Sequence, residues 1–290
     1  MQLLAFIVLY PILWFISILP FRLLYLLSDF ICFIIYRIIK YRKKTVRENL
    51  ALALPHLTRE ERNVIEKKFY HHMCDLFLEM IKTMTISDAE INKRFVFKNI
   101  DVLRELEKKG KSIALLTGHY ASYEWVISMN RILEIKGIAI YKRIRNKYFD
   151  QLVRKIRSRF KAYLITTKET AIVMAENNAK NITCIYGFAG DQSPKSNAVH
   201  WNTFMGIETP IHTGAEFLSK RFNMNVVFLE VQKVKRGYYE ATFEILSEDI
   251  QSVPDYEITD TFIRKLEQQI LKAPEYYLWC PGYIYVSRCS

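Results

Sequence analysis

The sequence predicts an α/β protein: a mostly parallel central sheet flanked by helices, preceded by an N-terminal membrane-anchoring helix. Three observations lead there. Short apolar runs of strand length alternate with segments of helical period, the pattern of a layered parallel sheet. Half of the 290 residues are hydrophobic, enough for one large core. The first 21 residues carry no charge, and about 20 apolar residues are what a bilayer core requires.

The elements follow in order. Residues 1–44 read as an anchor with a basic flank. No basic residue precedes the apolar run and no A-x-A cleavage site follows it, so it is an anchor rather than a cleaved signal. Arg22, Asp29 and Arg37 interrupt a second apolar stretch from Phe21 to Ile39, suited to a helix in the membrane interface. "KYRKK" comes next, and basic residues on the C-terminal side of an anchor place residues 45–290 in the cytoplasm.

Pro55 to Met84 reads as a helix, with Thr58 as N-cap and Glu61 at the capping-box position. His72, Asp75 and Glu79 share one of its faces. Their spacing admits a metal site, but no fourth ligand accompanies them, so a polar face is preferred and no metal is expected. "DVLRELEKKG" is a short helix capped at Gly110, and Ser112 to Thr117 is a buried strand. "SYEWVISMNRILEIKG" is predicted as a helix ending at Gly137, before the strand "IAIY". Helix "KYFDQLVRKIRSRF", strand "NITCIYGF" and helix "GAEFLSKRFN" follow. Two strands joined through "KRGY" and a helix near Thr259 to Lys272 complete the series.

The net charge of +12 favours an anionic partner: a membrane surface, an acidic protein or substrate, or nucleic acid. Nucleic acid is the poorest fit for a membrane-anchored chain. Five scattered cysteines without a CxxC pair suggest neither a disulfide framework nor a zinc site.

"LLTGHYASYEW" holds the candidate chemistry. His119 sits just beyond a predicted strand, where open α/β sheets bind ligands. Glu124 falls in the first turn of the next helix, and a turn between them lets the two side chains meet. A carboxylate on one ring nitrogen fixes the tautomer and leaves the other free as a base. No G-x-S-x-G elbow or cysteine lies in the motif, and Ser122 fits as a helix N-cap. Such a base would activate a hydroxyl or amine of a substrate. A structural histidine has the same sequence signature. From Tyr141 to Lys161 there are nine Lys/Arg and one Asp, suited to oxyanions or equally to a solvated helix face.

Several blocks, in order, carry a resemblance. "YRKKTVRENLALALP" follows the anchor. Then come "GHYASYEW", "YKRIRNKYFDQLVRKIRSRF", "GDQSPKSNAVHWNTFMGIETPIHTGAEFLSKRF" and "PEYYLW". Together they resemble the late acyltransferases of lipid A biosynthesis, the HtrB/MsbB family within the lysophospholipid (glycerolipid) acyltransferase superfamily. The resemblance implies a glycerolipid-acyltransferase-like fold at the cell inner membrane. It implies an O-acyltransferase that moves a fatty chain from an acyl-acyl carrier protein thioester to a lipid A precursor, with no cofactor.

It makes His119 the base and Glu124 its partner. It places Lys142, Arg143, Arg145, Asn146, Arg157, Arg159, Asp191 and Gln192 in substrate-binding blocks, with Glu79 and Ser122 in support. The sequence departs from the family at Ala121–Ser122, where Gly-Asn is usual, at Arg143, where proline is common, and from Cys280 to Ser290, where a basic tryptophan-containing tail is usual. The same chemistry on another acceptor (an aminolipid, a glycerolipid or a pigment precursor) and a non-catalytic protein that binds anionic membranes are the alternatives.

Overall fold

The computed structural model describes residues 2–192 and 198–279. Pro194 and Lys195 of the "GDQSPK" block, and the atypical segment from Cys280 to Ser290, lie outside them. Helices α1 (Gln2–Ile18) and α2 (Phe21–Phe33) lead through a π-helical turn into α3 (Lys43–Ala53), α4 (Arg59–Lys82) and α5 (Asp88–Arg94). Strand β1 (Phe95–Phe97), α6 (Asp101–Lys108), β2 (Ile113–Thr117), a 3-10 helix (Tyr123–Arg131) and β3 (Lys136–Tyr141) follow. Next are α7 (Lys147–Ser158), β4 (Tyr163–Thr166), α8 (Thr170–Ala179) and β5 (Cys184–Ala189). The hairpin β6 (Trp201–Phe204) and β7 (Ile207–Pro210) precedes α9 (Gly214–Arg221), β8 (Asn225–Lys235), β9 (Tyr238–Ser247) and α10 (Glu257–Lys272).

Seven strands form one sheet in the order β1-β9-β8-β2-β5-β3-β4, parallel throughout except for the β8–β9 pair. β2 lies at its centre. Its residues Ile113 to Leu116 are all buried, so both faces of the sheet are covered there. The expected capping box of α4 is present, with Thr58 Oγ1 accepting from the Glu61 amide and the Glu61 carboxylate accepting from the Thr58 amide. Gly110 closes α6 with a left-handed φ of 69°.

One expectation is corrected. The helix predicted to end at Gly137 stops at Arg131, and Gly137 lies inside β3. That glycine is needed for close packing, because a Cβ there would come within 1.8 Å of Asn130 Oδ1. The uncharged N-terminal run is not one continuous helix. It breaks at Leu19–Pro20, and α1 has 17 residues. At about 1.5 Å per residue these reach about 26 Å, short of the roughly 30 Å hydrocarbon core. No helix among the described residues is long and apolar enough to cross a membrane.

Instead α1 packs on α4 and α7, and Phe6 meets the rings of Tyr148 and Phe149. Lys82 holds the chain break by donating to the carbonyls of Ser17 and Leu19, each at 2.7 Å. Leu4, Ile7, Phe15, Leu26 and Phe30 remain largely exposed on the outer side of the two helices.

Candidate active site

The site grows from the register of two parallel strands. β2 pairs with β5 so that Thr117 faces Ala189. Each strand then ends in a glycine and a titratable residue, Gly118–His119 and Gly190–Asp191. Gly118 gives the chain room to leave the sheet, since a Cβ there would meet Leu266 Cδ1 of α10 at 2.5 Å. Two residues beyond the last pair, the His119 ring Nδ1 lies 2.6 Å from Asp191 Oδ1, and the His119 amide donates to Asp191 Oδ2 at 3.0 Å.

Asp191, and not Glu124, is therefore the carboxylate on the ring. A carboxylate only accepts, so Nδ1 carries the proton and Nε2 is left as the basic nitrogen. The Asp191 side chain is 1% exposed and that of His119 is 20% exposed, so the ring is the part of the pair that solvent or substrate reaches. Burial by itself would lower the His119 pKa. The charge and hydrogen bond of Asp191, with a smaller contribution from Glu124, outweigh it and raise the imidazole above its ordinary value. Burial pushes Asp191 upward, but the attraction and hydrogen bonds of His119 hold its carboxyl below the ordinary carboxylate value.

A second segment fixes the loop. Leu278 N donates to His119 O at 3.1 Å and Ala121 N donates to Tyr276 O at 3.0 Å, so Tyr276–Leu278 forms a short antiparallel ribbon with the loop. Tyr120 OH donates to Ala273 O at 2.9 Å, and Asn49 of α3 ties the same segment down through Trp279 O at 2.8 Å.

Glu124 has another partner. Its two oxygens accept from Arg157 Nη2 at 3.0 and 2.8 Å. The 3-10 turn sets it toward α7, and it acts on His119 only through its charge. Ser122 occupies the residue before that turn but makes no capping hydrogen bond, and its buried Oγ has no partner among the described residues. Its φ of −95° and ψ of 59° are not the extended geometry that turns a cap oxygen toward the following amides. Ala121 before it has a φ of 49°, a left-handed conformation that suits the glycine usual in the resembling family.

The basic block divides. Arg157 reaches the site. Arg159 donates to the carbonyls of Thr83, Met84 and Ile86 beyond the C-terminus of α4, which leaves it a structural tie. Asn146 is the N-cap of α7, accepting from Tyr148 N at 3.0 Å, and donates to Gln2 O. Lys142, Arg143 and Arg145 stand exposed on the loop after β3, at the same end of the sheet as His119. Gln192 borders a narrow cleft with Asp191, Phe204, Ile211 and His212.

The polar α4 face expected from sequence is buried. His72, Asp75 and Glu79 are 3%, 2% and 0% exposed. Asp75 accepts from Ser28 Oγ at 2.7 Å and from Arg236, which also reaches Asp29. Glu79 accepts from Tyr25 and Tyr239, each at 2.8 Å. Toward the active loop it is linked indirectly, its backbone carbonyl accepting from Trp125 Nε1 at 3.4 Å. This seam joins α2, α4 and the β8–β9 hairpin. Among the described residues no cluster of three or more His, Cys, Asp or Glu side chains is arranged to hold a metal.

The contact of Asp191 with the ring has no local signature in the sequence, because the two residues lie 72 positions apart. The shared signal was legible, though: "LLTGH" and "GFAGD" both run from apolar strand into glycine and a titratable residue.

An imidazole held by a buried carboxylate at the strand ends of an α/β sheet is an arrangement able to accept a proton from a bound group. The chain belongs to the bacterial lipid A biosynthesis acyltransferase family, whose profile matches residues 2–281, and it is an acyltransferase. It is 23% identical over 274 residues to a lipid A biosynthesis palmitoleoyltransferase of Escherichia coli (strain K12), covering 92% of this chain and 87% of the relative. A lipid A biosynthesis acyltransferase of Shigella flexneri matches to the same extent. A lipid A biosynthesis lauroyltransferase of Escherichia coli (strain K12) is 23% identical over 269 residues, with the same coverage of both chains.

Proposed function

We propose that the chain moves a fatty acyl group from an acyl carrier protein thioester to a hydroxyl of a lipid A precursor, at the cytoplasmic face of the inner membrane. The observation that carries this reading is the 2.6 Å contact between His119 Nδ1 and buried Asp191, which leaves Nε2 as a base at the carboxyl end of β2.

Nε2 removes the proton of the acceptor hydroxyl as its oxygen attacks the thioester carbonyl. The tetrahedral adduct collapses, the C–S bond breaks, and the imidazolium returns its proton to the departing sulfur. Asp191 holds the ring through both transfers, and its charge, with that of Glu124, stabilises the imidazolium. General-base catalysis of this kind supplies roughly 10²–10⁴-fold. The thioester carries the activation, so this route requires no metal or organic cofactor.

Exposed Lys142, Arg143 and Arg145 offer cations for the phosphates of the acceptor or for an acidic carrier protein. The apolar residues left exposed along α1 and α2 support docking in a membrane interface, with Lys40, Arg42 and Lys44 at its edge.

Mass spectrometry of lipid A tests the reading in a host that lacks its own late acyltransferase. The wild-type gene should add an acyl chain to the disaccharide and His119→Ala should not. An unchanged acylation pattern with the wild type would overturn the acceptor, and equal restoration by His119→Ala would overturn the base.

A further inference from the structure

A second pocket lies between α3 and α4, and none of its lining residues belongs to the His119 loop or to the basic loop after β3. Its volume is about 190 Å³, and Arg47, Arg59, Arg62, Asn63 and Glu66 line it above Leu50. At about 30 Å³ per molecule of liquid water, that is room for several waters or a phosphate group.

The charges inside do not balance. Glu66 is already neutralised: Arg47 Nε donates to it at 2.8 Å and Lys43 Nζ lies 3.6 Å away. Arg62 donates through Nη1 to the carbonyls of Leu54 and Leu57, and the only carboxylate its charge is seen to act on among the described residues is the exposed Glu61 beside it. Arg59, exposed at the first position of α4, has no ion pair or hydrogen bond among the described residues. Two guanidinium groups thus face a concavity whose one lining carboxylate among the described residues, Glu66, is already paired. Guanidinium suits a phosphate because its planar donors match two phosphate oxygens at once.

The neighbourhood indicates where the phosphate comes from. The turn immediately before α3 carries Ile38, Ile39 and Tyr41, which are 65%, 61% and 47% exposed. They follow the exposed apolar residues of α2 along the chain and precede Arg42, Lys43 and Lys44, and Lys43 reaches the pocket's Glu66 at 3.6 Å. A pocket for an anion at the rim of an apolar surface is positioned for the phosphate of a lipid whose chains lie along that surface.

We propose that the α3–α4 pocket binds the phosphate of a membrane phospholipid headgroup, at a site separate from the one that transfers the acyl group. A headgroup held there fixes how the protein sits on the bilayer.

Titration calorimetry of the full chain in neutral detergent tests this, with dihexanoyl phosphatidylglycerol and inorganic phosphate as separate probes. Arg59→Gln should weaken binding of the lipid probe about tenfold, the loss of one charge-assisted hydrogen bond. Lys67→Gln removes the same charge from α4 outside the pocket and should change binding less than about twofold. His119→Ala should bind as the wild type does, so a failed transfer assay leaves this result standing. Equal weakening in the Arg59 and Lys67 variants, or in neither, overturns the site. Inorganic phosphate that binds as tightly as the lipid and is lost equally in Arg59→Gln overturns the lipid as its source.

Discussion

The turn after β2 and the inner face of α4 use the same ingredients to opposite ends. Each buries an imidazole and a carboxylate beside basic and aromatic groups. At the turn, Asp191 occupies one nitrogen of His119 and the ring remains partly exposed. On α4, the carboxylates of Asp75 and Glu79 are taken up by Ser28, Arg236, Tyr25 and Tyr239. His72 there is pushed well below the ordinary imidazole value, first by burial and then by the Lys233 ammonium. A buried titratable cluster is thus no sign of chemistry by itself. The site is the cluster that leaves a basic atom reachable.

The sharpest way to break this contrast is His119→Ala. Transfer should fall by roughly 10²–10⁴-fold while the urea midpoint stays near that of the wild type. Asp75→Ala should do the reverse. It strips Arg236 and Lys233 of their buried counter-charge, and removing one partner of a buried pair costs about 3–5 kcal/mol. Denaturant unfolding should show that loss, with turnover per folded molecule unchanged.

Glu79 refines the contrast through pH. Burial is the largest influence on it; despite the opposing Lys233 charge and the tyrosine hydrogen bonds, its pKa is raised from 4.5 to about 7. The folded state then keeps a proton that the unfolded chain releases across that window, so stability falls as pH rises from about 4.5 to about 7. Glu79→Gln should flatten this part of the urea-midpoint profile and leave transfer near wild type.

The smallest effect is expected at Ala121. A left-handed non-glycine residue costs about 1 kcal/mol or somewhat more, and glycine gives part of that back as chain entropy. Ala121→Gly should therefore stabilise the protein by less than about 1 kcal/mol in the same unfolding assay.

Much of the fold was legible because its signals are local. The Thr58–Glu61 capping box, the apolar run of β2, the hairpin through Gly237 and the α10 helix each depend on neighbours in sequence. What was not legible depends on distant partners. Glu124 was paired with His119 because only five residues separate them, whereas strand register brings Asp191 there and α7 brings Arg157 to Glu124. Arg159 and Asn146 look like binding residues in a basic block, yet neighbouring helix ends occupy them. The Tyr276–Leu278 clamp has no local signature, since its partners are the backbone groups of a loop more than 150 residues earlier. The break at Leu19–Pro20 is not legible either, because hydropathy does not show where a helix ends.

The central claim is that Asp191, rather than Glu124, steers and charges the His119 base. The most direct test is the acid limb of kcat/KM against pH for the wild type, Asp191→Asn and Glu124→Gln. The neutral base is lost as pH falls through the raised His119 pKa, so the wild-type limb should lie above the ordinary imidazole value. Asp191→Asn should lower the plateau by about 10²-fold or more, as loss of the orienting carboxylate does in hydrolytic triads, and move the limb to lower pH. Glu124→Gln should move it less and cost under about tenfold, the effect of about 1.4 kcal/mol of charge stabilisation. A limb that stays in place in Asp191→Asn but shifts in Glu124→Gln would contradict the account.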